Sequence, residues 1–285
     1  RINRRAFSSF PMPELLYTDI QHLVLVKLCF FLFVVFALVG LYKKWGAVYL
    51  TSITGFFSGL AYFFFVRGRE LMFWWLNGDE ITIAAMYNKV ASGNLWSDFA
   101  YTMFPPFYPP GYFWFFGSIG NWLSLNGVQV AKIASLSTIL LLPLGAYLVQ
   151  QWLFKKRAGL PQPLAWLLAS LLLFVVIDWD AIIIKPYQLV AAVGVVLWTV
   201  MLLYTIHKER LTWQRLEVFA LSGALLFFTY YFWFFLAAIG VGLFHVFSKE
   251  RISFKKYSSL ILVGASTIIL SAPYWYPLSR SYASG

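Results

Sequence analysis

The chain has 285 residues, of which 61% are hydrophobic, 21% aromatic and only 12% charged, with a formal net charge of +11 and a mean hydropathy of +0.72. Soluble domains carry about 25% charged and about 45–50% apolar residues. This composition therefore excludes an ordinary soluble enzyme, a nucleic-acid-binding module and a disordered scaffold, and requires lipid around much of the surface. The single cysteine, Cys29, excludes an intrachain disulfide and a cysteine-based zinc site.

A helix that crosses a bilayer needs about 20 apolar residues. Taken in chain order, the first 22 residues are polar and lack the apolar core of a signal peptide. Spans are expected at Leu23–Tyr42 and Ala47–Val66, and Arg67-Gly68-Arg69-Glu70 ends the second. A long, less apolar stretch follows to Pro110. Within it a short helix is expected from Ile81 to Ala91, and after it Gly111–Leu125 reads as an amphipathic helix lying in the interface. Further spans are expected at Val128–Phe154, Leu164–Val176 and Tyr187–Ile206. Leu216–Phe247 is too long for one helix and reads as a hairpin with its tip near Thr229-Tyr230-Tyr231. The last span runs from Tyr257 to about Pro273. The expectation is an all-α polytopic membrane protein with about eight spans, one transmembrane domain over residues 1–285, and a large loop at 67–126. The missing start Met and the abrupt end read as a fragment, with an upstream helix and a C-terminal region expected beyond it.

Charge placement sets the expected orientation. The loops after Tyr42, Phe154, Ile206 and Phe247 hold twelve Lys/Arg and three acids; the opposite face holds nine Lys/Arg and eight acids. Basic loops stay in the cytoplasm, so Arg67–Pro110 is expected on the extracytoplasmic side of the membrane.

That outer face carries the chemistry. Asp79 and Glu80 follow Phe73-Trp74-Trp75 at the depth of an interfacial aromatic belt. Such carboxylates serve as a general base, a metal ligand or a partner for sugar hydroxyls; the plainer role for Asp79 is to cap the helix beginning at Ile81. Phe104-Pro105-Pro106-Phe107-Tyr108-Pro109-Pro110-Gly111 has four residues without a backbone donor and is forced into an extended or turned path. Its aromatics suit a sugar face or a prenyl chain, or simply form a rigid corner. Asp178-Trp179-Asp180 and Lys185-Pro186-Tyr187 occupy the next outer loop, where Lys185 could meet a lipid phosphate or remain an exposed loop charge. Trp233 and Tyr230-Tyr231 read as interfacial anchors. No metal-ligand spacing, phosphate loop or nucleophile elbow is present.

The order of an early acid in the first large outer loop, a juxtamembrane helix, a proline corner and then a span resembles the GT-C glycosyltransferases. Within them, Pro105-Pro106-Phe107-Tyr108-Pro109-Pro110-Gly111-Tyr112-Phe113-Trp114 resembles the PPFYPPGWFW string of the AftA-type galactan arabinofuranosyltransferases, differing at Tyr112. Asp98-Phe99-Ala100-Tyr101 and Lys185-Pro186-Tyr187 are similar in spacing. The resemblance implies a GT-C-like bundle and transfer of arabinofuranose from a polyprenyl-phosphate donor to an envelope glycan acceptor, by inverting direct displacement. It implies Asp79 as the base, with Glu80 as a second catalytic or acceptor-binding candidate. It places donor binding on Tyr108, Pro109, Pro110, Lys185 and Tyr187. The leaving phosphate calls for a cation: Lys185, Arg67, Arg69 or a divalent metal ion. The alternatives are a GT-C transferase for another sugar, or a transporter or non-catalytic scaffold of glycan assembly. A nucleic-acid partner is not expected.

Overall fold

In the computed structural model of the chain, the structure describes residues 17–68, 78–101, 103–154, 161–171, 185–208, 211–247 and 254–283. The described residues form eleven helices and no strand: α1 (Tyr17–Tyr42), α2 (Ala47–Val66), α3 (Gly78–Ala91), α4 (Gly111–Trp122), α5 (Gly127–Phe154), α6 (Gln162–Leu171), α7 (Pro186–Lys208), α8 (Trp213–Tyr230), α9 (Phe232–Phe247), α10 (Phe254–Leu270) and α11 (Ala272–Ala283). Helices are what such apolar sequences must form in lipid, because every backbone N–H and C=O then finds a partner within its own segment.

Four helical stretches are long and apolar enough to cross a membrane: Ile20–Tyr42, Ala47–Val66, Gly127–Gln151 and Pro186–His207. A fifth is formed if Ser258–Leu270 and Ala272–Ala283, which meet at a 70° bend, count as one broken span. The chain is thus a helical membrane protein, but the described residues supply four or five spans where eight were expected. The difference has local causes. α9 has 16 residues, about 24 Å of helix against a hydrocarbon core of about 30 Å. α8 opens with Arg215 and Glu217 in its first turns. Only ten residues of the expected Leu164–Val176 span's helix are described.

Two further expectations change. The helix break falls at Tyr231, as the sequence implied, but the two arms do not pack as a close hairpin: α8 lies on α7 and α10, and α9 lies on α7. The last span's helix ends at Leu270, close to the expected Pro273, but the chain does not leave the helical bundle there. The chain turns after Leu270 and continues as α11, whose Pro277 is accommodated inside the helix.

Packing follows from small residues. On α2, Thr51, Gly55 and Gly59 form a four-residue-spaced stripe; Gly55 and Gly59 face Leu140 and Leu136 of α5. A β-carbon at Gly55 would overlap the Leu140 carbonyl, so this glycine sets the helix separation. Thr51 and Thr54 donate their hydroxyls to carbonyls four residues earlier in their own helix. The principal core joins α2, α3, α4, α5 and α7 through Tyr62, Val66, Ile83, Tyr87, Phe113, Val130 and Tyr187. α4 shows the two faces expected of it: Tyr112, Phe113 and Phe116 are buried, while Phe115 and Trp122 are exposed. Its inner face is core, with Gly117 and Gly120 against Val90 and Val130.

Helix ends sort into two groups. Ala47 packs with Tyr147, Ala165 and Ala169 at one end. At the other, Lys132 near the start of α5 donates to the Val66 carbonyl at the end of α2, and Trp233 at the start of α9 donates to the Gln188 carbonyl at the start of α7. This second end gathers α3, the proline loop and the start of α7.

Candidate active site

The acids at 79 and 80 separate because adjacent helical residues point about 100° apart. The helix starts at Gly78, so Asp79 lies in the first turn of α3 and not at a cap before Ile81. Its charge still complements the helix N-terminus. Glu80 is 1% exposed and shares the inward face of α3 with Ile83, Tyr87 and Val90. Asp79 remains 53% exposed, and its Oδ2 lies 2.5 Å from Lys185 Nζ. Lys185 immediately precedes α7, and Pro186 at the first helical position pre-sets the backbone for the turn. The Gln188 N–H donates to the Lys185 carbonyl at 2.9 Å, fixing the lysine's backbone.

Tyrosines surround this ion pair. The hydroxyls of Tyr108, Tyr187 and Tyr230 lie within electrostatic reach of one another, Asp79 within reach of Tyr187, and Lys185 within reach of Tyr230. The Tyr187 ring is buried, with ring centres 5.1 Å from Phe113 and 5.6 Å from Tyr230. It is a wall of the site, and its hydroxyl accepts from Gln188 Nε2 at 3.4 Å. Beneath it, burial pushes the Tyr87 and Tyr112 phenols above their ordinary value, which keeps both neutral.

The proline loop is held by one carboxylate. Pro105, Pro106, Pro109 and Pro110 supply no donors, and the N–H groups of Ala100, Tyr101 and Phe107 converge on Asp98: Oδ1 accepts at 2.9 and 3.2 Å, Oδ2 at 3.1 Å. The Asp98 N–H donates to the Phe104 carbonyl at 2.7 Å, and Lys89 Nζ donates to the Asp98 carbonyl. Trp114 Nε1 donates to the Leu95 carbonyl, tying the loop's entry to α4. Pro109 and Pro110 are buried where α4 begins, and Gly111 lets that start press against Phe228 of α8. Tyr274 of α11 donates its hydroxyl to the Phe107 carbonyl at 2.7 Å.

The structure therefore brings together Asp79, Lys185, Tyr187 and Tyr108. It sets Glu80 apart in the core and Pro109-Pro110 behind Tyr108. Arg67 stacks over the Phe63 ring, 6.0 Å from its centre. Arg69, Trp74, Trp75, Asp178 and Asp180 lie outside the described residues. Among the described residues no group of three or more His, Cys, Asp or Glu side chains is placed to hold a metal ion, and a lysine beside Asp79 does not fit a divalent-cation site. The sequence reading named two residues of this region without giving them these roles. Tyr230 read as a lipid anchor, since an aromatic at a helix break signals nothing about which side it faces. Asp98 had a usable signal: an acid just ahead of four prolines is the natural acceptor for the few N–H groups left in such a loop.

Residues 84–285 match the family described as arabinofuranosyltransferase N-terminal. The chain belongs to this family. No curated protein matches it. The arabinofuranosyltransferase match takes in the proline loop, Tyr108, Lys185, Tyr187, Tyr230 and α11. Asp79 stands five residues before the matched stretch begins, and its assignment to the site rests on its contact with Lys185, a residue inside it. Membership implies glycosyltransferase activity, with a sugar donor and a glycan acceptor as substrates.

Proposed function

We propose that the protein transfers arabinofuranose from a polyprenyl phosphate to an envelope glycan, at the extracytoplasmic face of a bacterial cytoplasmic membrane, within a GT-C-like fold. The observation that carries this reading is the Asp79–Lys185 pair. A base and a cation stand side by side at one end of an apolar bundle, and this reaction needs both at one depth. The prenyl tail keeps the donor phosphate at the interface, so the reacting carbon is held at that level too.

In this mechanism Asp79 accepts the proton of the acceptor hydroxyl as its oxygen attacks the anomeric carbon. The bond from that carbon to the phosphate oxygen breaks, and the electron pair leaves on the phosphate. Displacement from the opposite face inverts the anomeric configuration. Lys185 stabilises the negative charge that grows on the leaving oxygen. Donor phosphate competes with Asp79 for Lys185, which loosens the ion pair as the substrate docks. Tyr108 flanks the sugar and its phosphate, with Pro109 and Pro110 fixing its backbone and the buried Tyr187 ring backing the site from the core. Glu80, buried on the inner face of α3, serves the fold.

The test is an assay of the full-length protein in lipid nanodiscs with a panel of polyprenyl-phosphate sugars and a galactan oligosaccharide. The reading expects a new glycosidic bond of inverted configuration and release of polyprenyl phosphate, both dependent on Asp79. Transfer from a nucleotide sugar, or retention of configuration, would overturn it.

A further inference from the structure

A groove of about 510 Å³ opens between the proline loop and α11, walled by Tyr101, Phe104, Phe107, Tyr108, Ser281 and Tyr282. This volume lies within the range of about 300–1,000 Å³ typical of ligand clefts. We propose that it is the acceptor subsite, holding neutral sugar rings of the glycan chain next to the one that is glycosylated. This rests on the reading of Asp79 and Lys185 as the reacting centre.

Three features select a glycan over a prenyl chain. The walls are aromatic faces edged with hydroxyls, which match the C–H faces and hydroxyl rims of sugar rings; among the described lining residues, Leu278 is the one branched aliphatic side chain. α11 turns 70° away from α10 and carries Ser279, Arg280 and Ser281 among its aromatics, a more polar make-up than that of α10. The groove's described lining contains no Lys or Arg, and its acid, Asp98, is committed to three backbone N–H groups. A phosphate therefore has no counter-charge here, whereas it has Lys185 at the ion pair. Tyr108 joins the two places: its ring lines the groove and its hydroxyl is near Tyr187 and Tyr230. A glycan lying in the groove would run past Tyr108 toward Asp79.

The groove is also preorganised. Tyr274 and Asp98 fix both sides of Phe107, whose ring meets Tyr282 with centres 6.4 Å apart. Tyr101 and Tyr282 are 67% and 69% exposed, each meeting a loop ring at one edge, so neither is a core residue.

The experiment measures binding directly, without turnover, by saturation-transfer NMR on the full-length protein in nanodiscs. The probes are a short galactan oligosaccharide, its monosaccharide unit and polyprenyl phosphate. Tyr101→Ala and Tyr282→Ala should each weaken the oligosaccharide about three- to tenfold. Tyr282→Phe should retain most of the affinity, and the monosaccharide and polyprenyl phosphate should be unaffected. Weakened polyprenyl-phosphate binding with the oligosaccharide unchanged would make the groove a lipid slot and overturn the proposal. No change in any probe would leave these tyrosines as an interfacial aromatic belt and overturn it equally. Oligosaccharide binding that depends on both tyrosines supports the groove even if no arabinofuranose is transferred; transfer indifferent to both overturns the groove and leaves the Asp79 reading standing.

Discussion

Lys185 Nζ meets Asp79 Oδ2 at 2.5 Å, joining the first turn of α3 to the residue that precedes α7. The lysine is 29% and the aspartate 53% exposed. Exposed pairs of this kind contribute about 0–1 kcal/mol to stability. The contact therefore says little about how the fold is held, and its placement beside Tyr108, Tyr187 and Tyr230 is what gives it meaning.

Replacing the lysine separates those two roles. Lys185→Met keeps the length and the apolar stem while removing the charge. Loss of a group that stabilises transition-state charge costs about 10²–10³-fold in rate, whereas the unfolding temperature should stay close to that of the parent. Single-turnover transfer with saturating donor, alongside thermal unfolding in the same detergent, measures both. A variant that transfers normally would remove Lys185 from the chemistry.

How much of this site was legible beforehand depends on the kind of signal. Asp79, Tyr108 and Lys185 were picked out because an acid, an aromatic between prolines and a lysine beside a membrane interface are each unusual there. Their meeting was not legible: it requires α3 and α7 to begin at the same corner of the bundle, which the packing of both on α5 decides. Helices α1, α2, α5 and α7 were readable from apolar length alone. The break at Tyr231 was readable too, because the 32 mostly apolar residues from Leu216 to Phe247 exceed one crossing. The course of α11 was hidden, since Pro273 and Pro277 signal a stop; the turn at Ser271 puts Pro273 in the first turn of α11, while Pro277 lies inside that helix.

Asp98→Ala should damage the proline loop rather than the reaction. Three N–H groups lose their acceptor together, and each buried donor left unsatisfied costs about 1–3 kcal/mol. Partial exposure of the loop lets water recover some of that, so a loss of about 2 kcal/mol is expected. Asp98→Asn keeps one of the two acceptor positions and should fall between. Thermal unfolding orders the three proteins, and limited proteolysis should show new cleavage between residues 98 and 110 in the alanine variant.

Gly111→Ala tests the junction of the proline corner with α8. An added β-carbon would stand 2.9 Å from Phe228 Cβ and 3.0 Å from its carbonyl oxygen. Part of that obstruction is backbone and cannot rotate away. Overpacking of this kind costs about 1–3 kcal/mol. Because Pro110 and Tyr108 move with the start of α4, the donor KM should rise as well. An unchanged melting temperature would mean that α4 and α8 shift apart freely.

Orientation can be read with one introduced thiol. Met103 is 93% exposed in the proline loop, and the single native cysteine, Cys29, is buried, so background labelling is low. A membrane-impermeant thiol reagent should label Met103→Cys in intact cells whose outer permeability barrier is open. Trp213→Cys, exposed at the opposite end of the bundle at the start of α8, should react only after the cytoplasmic membrane is permeabilised. The reverse pattern would place the Asp79–Lys185 end in the cytoplasm and remove the polyprenyl-phosphate reading with it.

Asp79→Asn is the sharpest test of the site, because the structure separates its two roles. The helix begins at Gly78, so position 79 is inside the first turn and is not the cap. Asparagine retains the shape and an oxygen that can accept from Lys185 Nζ. What is lost is a charge favourable to the helix N-terminus, worth about 0.3–1 kcal/mol, and the basicity. Thermal unfolding should therefore shift little, while transfer should fall about 10²–10⁴-fold, the usual contribution of a positioned general base. Glu80→Gln is the matched control on the neighbouring residue. Its side chain is 1% exposed on the inner face of α3, so its effect should appear in the unfolding temperature, with the turnover of the folded fraction retained. If Asp79→Asn transferred within a few-fold of the parent while folded Glu80→Gln were inactive, the base would lie inside the bundle, and the Asp79–Lys185 pair would be a surface contact without a catalytic role.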